Sequence, residues 1–225
     1  MKKIIAISIL SLISLNTFSA ENFNGPYIGA GLGYSNNEDT HHEYRSSDGS
    51  ANGYSGTNNS DSMMGSIFAG YNFRKNNIVI GPEINFTKLN SSNEDFQLLN
   101  GEIADSYGTK VKFNWNLSLK AKIGYVYNEN TLFYFSGGVV KSDTDRSYYD
   151  YDAGSQDKFN HKDFGLLAGV GIERNVYKNI NVRLNYEHIS YDSETNKPVN
   201  AWSNIDDKHS GINSDNTQLS VIYNF

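Results

Sequence analysis

The chain has 225 residues, with 19 basic against 25 acidic side chains for a formal net charge of −6. Only 38% of residues are hydrophobic, yet 13% are aromatic, with 16 Tyr, 12 Phe and 20 Gly, the composition of many short strands in an all-β domain. The length suits one domain, and the absence of Cys excludes disulfides, thiolate metal sites and thiol nucleophiles. The acidic balance, with no basic patch, argues against a nucleic-acid partner.

In chain order, Lys2 and Lys3 precede the apolar run Ile4 to Leu15 and then "NTFSA". A charged start, a short apolar core and small residues predict a signal peptide over 1–20, cleaved after Ser19 or Ala20. The apolar run falls short of the ~20 residues a spanning helix needs. After it, no stretch holds a 3.6-residue period; period two recurs instead, predicting eight strands. They fall near 25–34, 63–73, 78–89, 111–126, 132–140, 164–174, 179–191 and 215–225.

In the first strand Ile28, Ala30, Leu32 and Tyr34 oppose Gly29, Gly31 and Gly33. In the second, Met63, Ile67, Ala69, Tyr71 and Phe73 oppose Met64, Ser66, Phe68, Gly70 and Asn72. In the fourth, Val111, Phe113, Trp115, Leu117, Leu119, Ala121, Ile123 and Tyr125 oppose Lys112, Asn114, Asn116, Ser118, Lys120, Lys122 and Gly124. In the seventh, Ile180, Val182, Leu184 and Tyr186 oppose Asn181, Arg183, Asn185 and Glu187. The last strand alternates through Leu219, Val221, Tyr223 and Phe225, the final residue.

Connections alternate between turns at 74–77, 127–131 and 175–178 and long loops at 35–62, 90–110, 141–163 and 192–214. An up-and-down barrel gathers the long loops at one end and the tight turns at the other. A lipocalin-like barrel is apolar inside; an outer-membrane barrel is apolar outside. Export, loop asymmetry and the aromatics Tyr71, Phe73, Tyr125, Tyr223 and Phe225 near the turn ends favour the membrane. So does charge placement: 19 of the 25 acidic residues lie in the long loops, and the apolar faces carry charge only at their ends, as with Lys88 and Arg174. The expected fold is therefore an eight-stranded antiparallel up-and-down transmembrane β-barrel over 21–225, loops extracellular and both termini periplasmic.

"NFNGPYIGAGLGYS", "GLLAGVGIERNVYKNINVRLNYEHISY" and "LSVIYNF" resemble the opening, the sixth and seventh strands and the close of the small outer-membrane β-barrel proteins of the opacity/porin-like family. The resemblance covers the mature chain apart from its loops. It implies a Gram-negative outer-membrane location, contact with outer-membrane lipid, and roles from structural protein to adhesin. It also implies that Leu219, Val221, Tyr223 and Phe225 are read by the barrel-assembly machinery. Where the family often has Glu before the strand-seven Tyr, this chain has Asn185, and nothing is inferred from that carboxylate.

Inward charges are Glu83, Glu173 and Glu187 with Lys112, Lys120, Lys122 and Arg183. Desolvated ions need partners, and eight strands leave room only for side chains, so an ionic plug is expected rather than a selectivity lining. His41, His42 and Glu43 form no metal pincer on a strand, where neighbours point to opposite faces, and "DYDAG" lacks the later calcium ligands. Neither metal nor cofactor is expected. Tyr148, Tyr149 and Tyr151 suit a recognition surface. No hydrolase, metalloprotease or P-loop motif appears; Asp206, Asp207 and His209 are the one candidate for a rim-site lipid-modifying enzyme. The expected function is a monomeric, non-enzymatic surface protein with a closed lumen, structural or contacting a host or extracellular ligand through acidic loops. A small diffusion channel is the alternative.

Overall fold

A computed structural model of the chain describes residues 22–198 and 204–225; the expected signal peptide lies outside the described residues. Ten strands form one antiparallel system: β1 Gly25–Arg45, β2 Ala51–Lys75, β3 Ile78–Leu99, β4 Glu102–Tyr127, β5 Thr131–Asp150, β6 Ser155–His161, β7 Phe164–Tyr177, β8 Ile180–Tyr191, β9 Glu194–Asn196 and β10 Ile205–Asn224. Eight of them make a ring in the order β1-β2-β3-β4-β5-β7-β8-β10, closed by β10 on β1; β6 and β9 add on to β5 and β10. Closure runs from Tyr27 opposite Asn224 to Arg45 opposite Ile205, and the Phe225 amide donates to the Pro26 carbonyl at 3.0 Å. An ordered aromatic terminus follows from that pairing, because a strand in lipid leaves no backbone group unbonded.

Alternation sorts the two faces as expected. Ile28, Leu32, Ile67, Ile84, Leu119, Ile123, Phe135, Leu166, Leu219 and Val221 are exposed on the outer face, while Ser66, Asn85, Ser118, Asn181, Asn185, Gln218 and Ser220 are buried inside. The outward apolar stretch covers about five alternate positions per strand, which is the length a tilted strand needs to cross a bilayer. Tyr71 with Phe73 and Tyr223 with Phe225 form ring pairs at 4.6 and 5.1 Å near the turn end of this band.

The connections expected as long loops are for the most part strand. β1 and β2 meet through 46–50, and β3 and β4 through Asn100 and Gly101, both in the left-handed region that a two-residue hairpin turn requires (φ +52° and +92°). The reason is that these extensions are polar on both faces, so period two carries no hydrophobic contrast there. In β1, Ser35, Asn37, Asp39, His41 and Glu43 continue inward after the outer face has turned polar. His41 and His42, on opposite faces, form no pincer.

Candidate functional site

The lumen is filled in layers, beginning at the turn end with Phe23, Val79, Val126, Leu132 and Tyr134. Above this floor lies an ionic layer held by register. Glu83 on β3 faces Lys120 on β4, and Glu173 on β7 faces Arg183 on β8. Arg183 contacts Glu83 at 2.7 Å and Glu173 at 3.0 Å; Lys120 contacts Glu83 at 3.1 Å and also binds Glu187; Lys122 stands 3.8 Å from Glu173. Tyr27 donates to Glu83 at 2.7 Å and Asn181 to Glu173 at 2.6 Å. The Lys122 ammonium sits 4.3 Å over the Tyr27 ring, where the π face supplies negative potential. Six of the seven residues expected for the plug thus meet, three acids with three bases.

Lys112 does not join them. Asn114 is a β-bulge, with the β4–β5 register shifting between Phe113 and Trp115. Its amide donates to Asp143 at 2.9 Å and to Asp145 at 3.2 Å, which holds the extra residue in place. One extra residue exchanges the faces of everything beyond it. Lys112 therefore points outward and is exposed, while Val111 and Phe113, expected to face lipid, are buried inside.

Those two help form a second apolar layer across the lumen, with Met64, Leu89, Val140, Leu167, Ile189, Tyr191 and Ile212. Above it, beyond the outward apolar band, is a buried polar cluster centred on Arg146 of β5. Its guanidinium contacts Asp39 at 2.9 Å, Asp163 through two nitrogens at 3.2 and 3.4 Å, and Glu194 at 3.2 Å. His209 of β10 places Nδ1 2.5 Å from Asp39 and Nε2 2.8 Å from the Tyr148 hydroxyl and 3.2 Å from Asp207. The Asn196 amide donates to the same hydroxyl at 2.7 Å. His41 packs against His209 with ring centroids 5.3 Å apart.

The two histidines sit at the same depth with opposite charge preference. Burial disfavours the charged form of both. For His209, Asp39 and Asp207 more than offset it and raise the imidazolium to about 9; His41 is lowered, because burial prevails and His209 repels a second positive charge. Asp39 resists its burial through His209 and Arg146, which hold its carboxyl well below the usual range. Burial pushes Glu43 up to about 7.

Of the suggested rim residues, Asp207 and His209 are fully buried, whereas Asp206 faces out and accepts from Ser46 at 2.5 Å. Tyr148 is buried with Tyr107, Phe159 and Ile205 packed on it. Tyr149 and Tyr151 remain on the outer face, stacked at 5.8 Å, and Tyr151 also meets Phe96 at 5.8 Å. Leu219, Val221 and Tyr223 line the outer face of β10. Sequence reasoning missed Asp39, Arg146, Asp163 and Glu194. The signal was there in the alternation Asp39, His41, Glu43, which a loop has no reason to keep. Among the described residues no group of three or more His, Asp or Glu is arranged to hold a metal ion.

A closed ring of strands, apolar outside and polar inside, defines a transmembrane β-barrel. Residues 5–225 match the family model described as the outer membrane protein beta-barrel domain, and the chain belongs to that family, placing it in the Gram-negative outer membrane. It is 32% identical over 130 residues, 58% of its length, to a "22 kDa outer membrane protein" of Rhizobium leguminosarum bv. viciae; the chain spans about half that relative's length (53%). In fold it is similar to the outer membrane protein OprG of Pseudomonas aeruginosa (TM-score 0.58, 12% identity, 90% and 97% of the two chains). The outer membrane protease OmpT of Escherichia coli is also similar (TM-score 0.57, 10% identity, 93% and 99%).

Proposed function

We propose that the protein is a non-conducting, non-catalytic surface barrel, structural or ligand-contacting, with the strand extensions extracellular and both termini periplasmic. The observation that carries this reading is the nine-residue apolar layer spanning the lumen between two charged layers. An ion passing along the axis would lose its hydration against Phe113, Leu167 and Ile189, whose side chains have no polar atom to replace it. The extensions, instead of being loose loops, are hydrogen-bonded hairpins that hold Phe96, Ile103 and Tyr151 exposed on their outer face. Rigid aromatic side chains make contact area at low entropic cost. His209 and Asp207 have the make-up of an acid–base pair, but both are sealed at 0% exposure, which supports a structural role.

Planar-bilayer recordings test the closed lumen. The refolded barrel should show no steady conductance, and a stable open state of nanosiemens size would replace this reading with the diffusion channel. For the contact role, a Phe96→Ser, Ile103→Ser, Tyr151→Ser variant should lose cell or matrix binding while keeping the heat-modifiable gel shift of a folded barrel. Unchanged binding would refute contact through these hairpins.

A further inference from the structure

The outer surface of the membrane band is not uniformly convex. Two contiguous apolar grooves, with volumes of about 840 and 730 Å³, run down the face of β10, β1, β2 and β3, sharing Ala30, Ile67, Phe86 and Val221. They arise where register sets a small residue opposite a large one: Gly65 opposite Leu32, Ala30 opposite Ile67 and Ala69 opposite Ile28. The groove nearer the strand extensions ends at Lys88, directly across from Gly65 on one side and Trp115 on the other.

Lys88 is a charge without a partner. It makes no ion pair or hydrogen bond among the described residues, in a chain of net charge −6. The neighbouring acids are already engaged: Asp61 accepts from Asn36 at 2.6 Å, and the buried Asp143 accepts from Asn114 and pairs with Lys162. Lys162 itself lies 5.4 Å over the Trp115 ring, so the indole stands between a paired ammonium and an unpaired one. An apolar trough capped by one cation at the edge of the hydrocarbon band is complementary to a molecule with an acyl chain below and an anionic head above.

We propose that this groove is a binding site for a phosphate-headed anionic lipid, its phosphate on Lys88 and one acyl chain lying over Gly65, Ala30 and Ala69. That this lipid belongs to the outer leaflet rests on the orientation proposed above; the site itself does not.

Trp115 is a built-in reporter. With Trp202 replaced by Phe, Trp115 is the sole tryptophan of the two. The refolded full-length barrel in mixed micelles is titrated with phosphatidylglycerol brominated near the head of its acyl chains, and separately with phosphatidylcholine brominated likewise. Half-quenching should need several-fold less phosphatidylglycerol. Lys88→Gln should bring the two lipids level and Lys88→Arg should restore the preference. Gly65→Leu should also remove the preference with the lysine intact; a Cβ at Gly65 meets only Leu32, at 3.8 Å, so the fold has room for it. The gel shift confirms folding of each variant. Equal quenching by both lipids in the parent, or a preference that survives Lys88→Gln, would overturn the site. Inorganic phosphate abolishing the preference at equal concentration would show capture of a free anion and overturn the lipid occupant.

Discussion

Replacing Arg146 by Met should open the strand extensions while leaving the membrane band intact. The guanidinium is 1% exposed and serves three carboxylates, of which Asp39 and Asp163 are almost fully buried and Glu194 is about one-third exposed. Removing one member of a buried ion pair costs about 3–5 kcal/mol, most of it the desolvation left on the abandoned charge. Asp39 keeps His209 at 2.5 Å, and Glu194 has water and His161, so the cost falls mainly on Asp163. The lower end, about 3 kcal/mol, is therefore the expected value, roughly a hundredfold in the opening equilibrium. Native-state hydrogen exchange reads this locally. Amides pairing 144–150 with 155–161 should lose about two orders of magnitude of protection, and those pairing Tyr27 to Tyr34 with 217–224 should not change. Acid should reverse the effect, because protonating Asp163 removes the stranded charge. Protection within threefold of the parent, or a loss that persists at low pH, would refute the ion-pair account.

Three further outcomes are expected. Because His209 is raised to about 9 from 6.5, the stabilisation it gives is fully present below about pH 6.5 and lost as pH rises through 9; the shift amounts to about 3 kcal/mol. Protection factors in the extensions, taken relative to intrinsic exchange at each pH, should fall over that range in the parent and not in His209→Asn. Since the chain has no Cys, single cysteines read the bulge: Lys112→Cys should label with a soluble maleimide and Lys122→Cys should not, and equal labelling would mean the register has no shift at Asn114. Deleting Phe225 should sharply reduce insertion in cells while refolding into detergent stays near normal, as expected if the assembly machinery reads the terminal aromatic; equal loss in both assays would leave Phe225 its ring contact with Tyr223 and its amide hydrogen bond to Pro26.

How much of this was legible depends on contrast between faces. In the membrane band the outer face is apolar and the inner polar, so strand positions, closure of β10 on β1 and six of seven plug residues could be read from alternation. "VKFNWNLSLKAKIGY" misleads because Val111, Phe113 and Trp115 continue the odd-numbered apolar series across the bulge. The letters keep period two while the sheet does not, and an Asn at the switch looks like any inward Asn. The extensions fail for the opposite reason: in "SNNEDTHHEYR" both faces are polar, and only pairing with β2 and β10 shows that Asp39, His41 and Glu43 share the inside.

The acidity of the extensions also reads differently once faces are assigned. Of the 19 acidic residues there, Asp39, Glu43, Asp143, Asp157, Asp163 and Asp207 are buried, so the outward field is weaker than composition suggests. The two charged layers answer to different surroundings. The lower one, ringed by lipid, is balanced at three acids to three bases, because an unmatched ion there has neither water nor counterion within reach. The upper one, beyond the apolar band, carries Asp39, Glu43, Asp163, Glu194 and Asp207 against Arg146, and redresses the excess by titration. His209 keeps its proton up to about pH 9, while Glu43 holds one until about pH 7. Charge balance is set by residue choice where the barrel crosses the membrane and by proton uptake where it stands in water. The upper layer should therefore change its charge between about pH 6 and 10, as Glu43 and then His209 give up their protons.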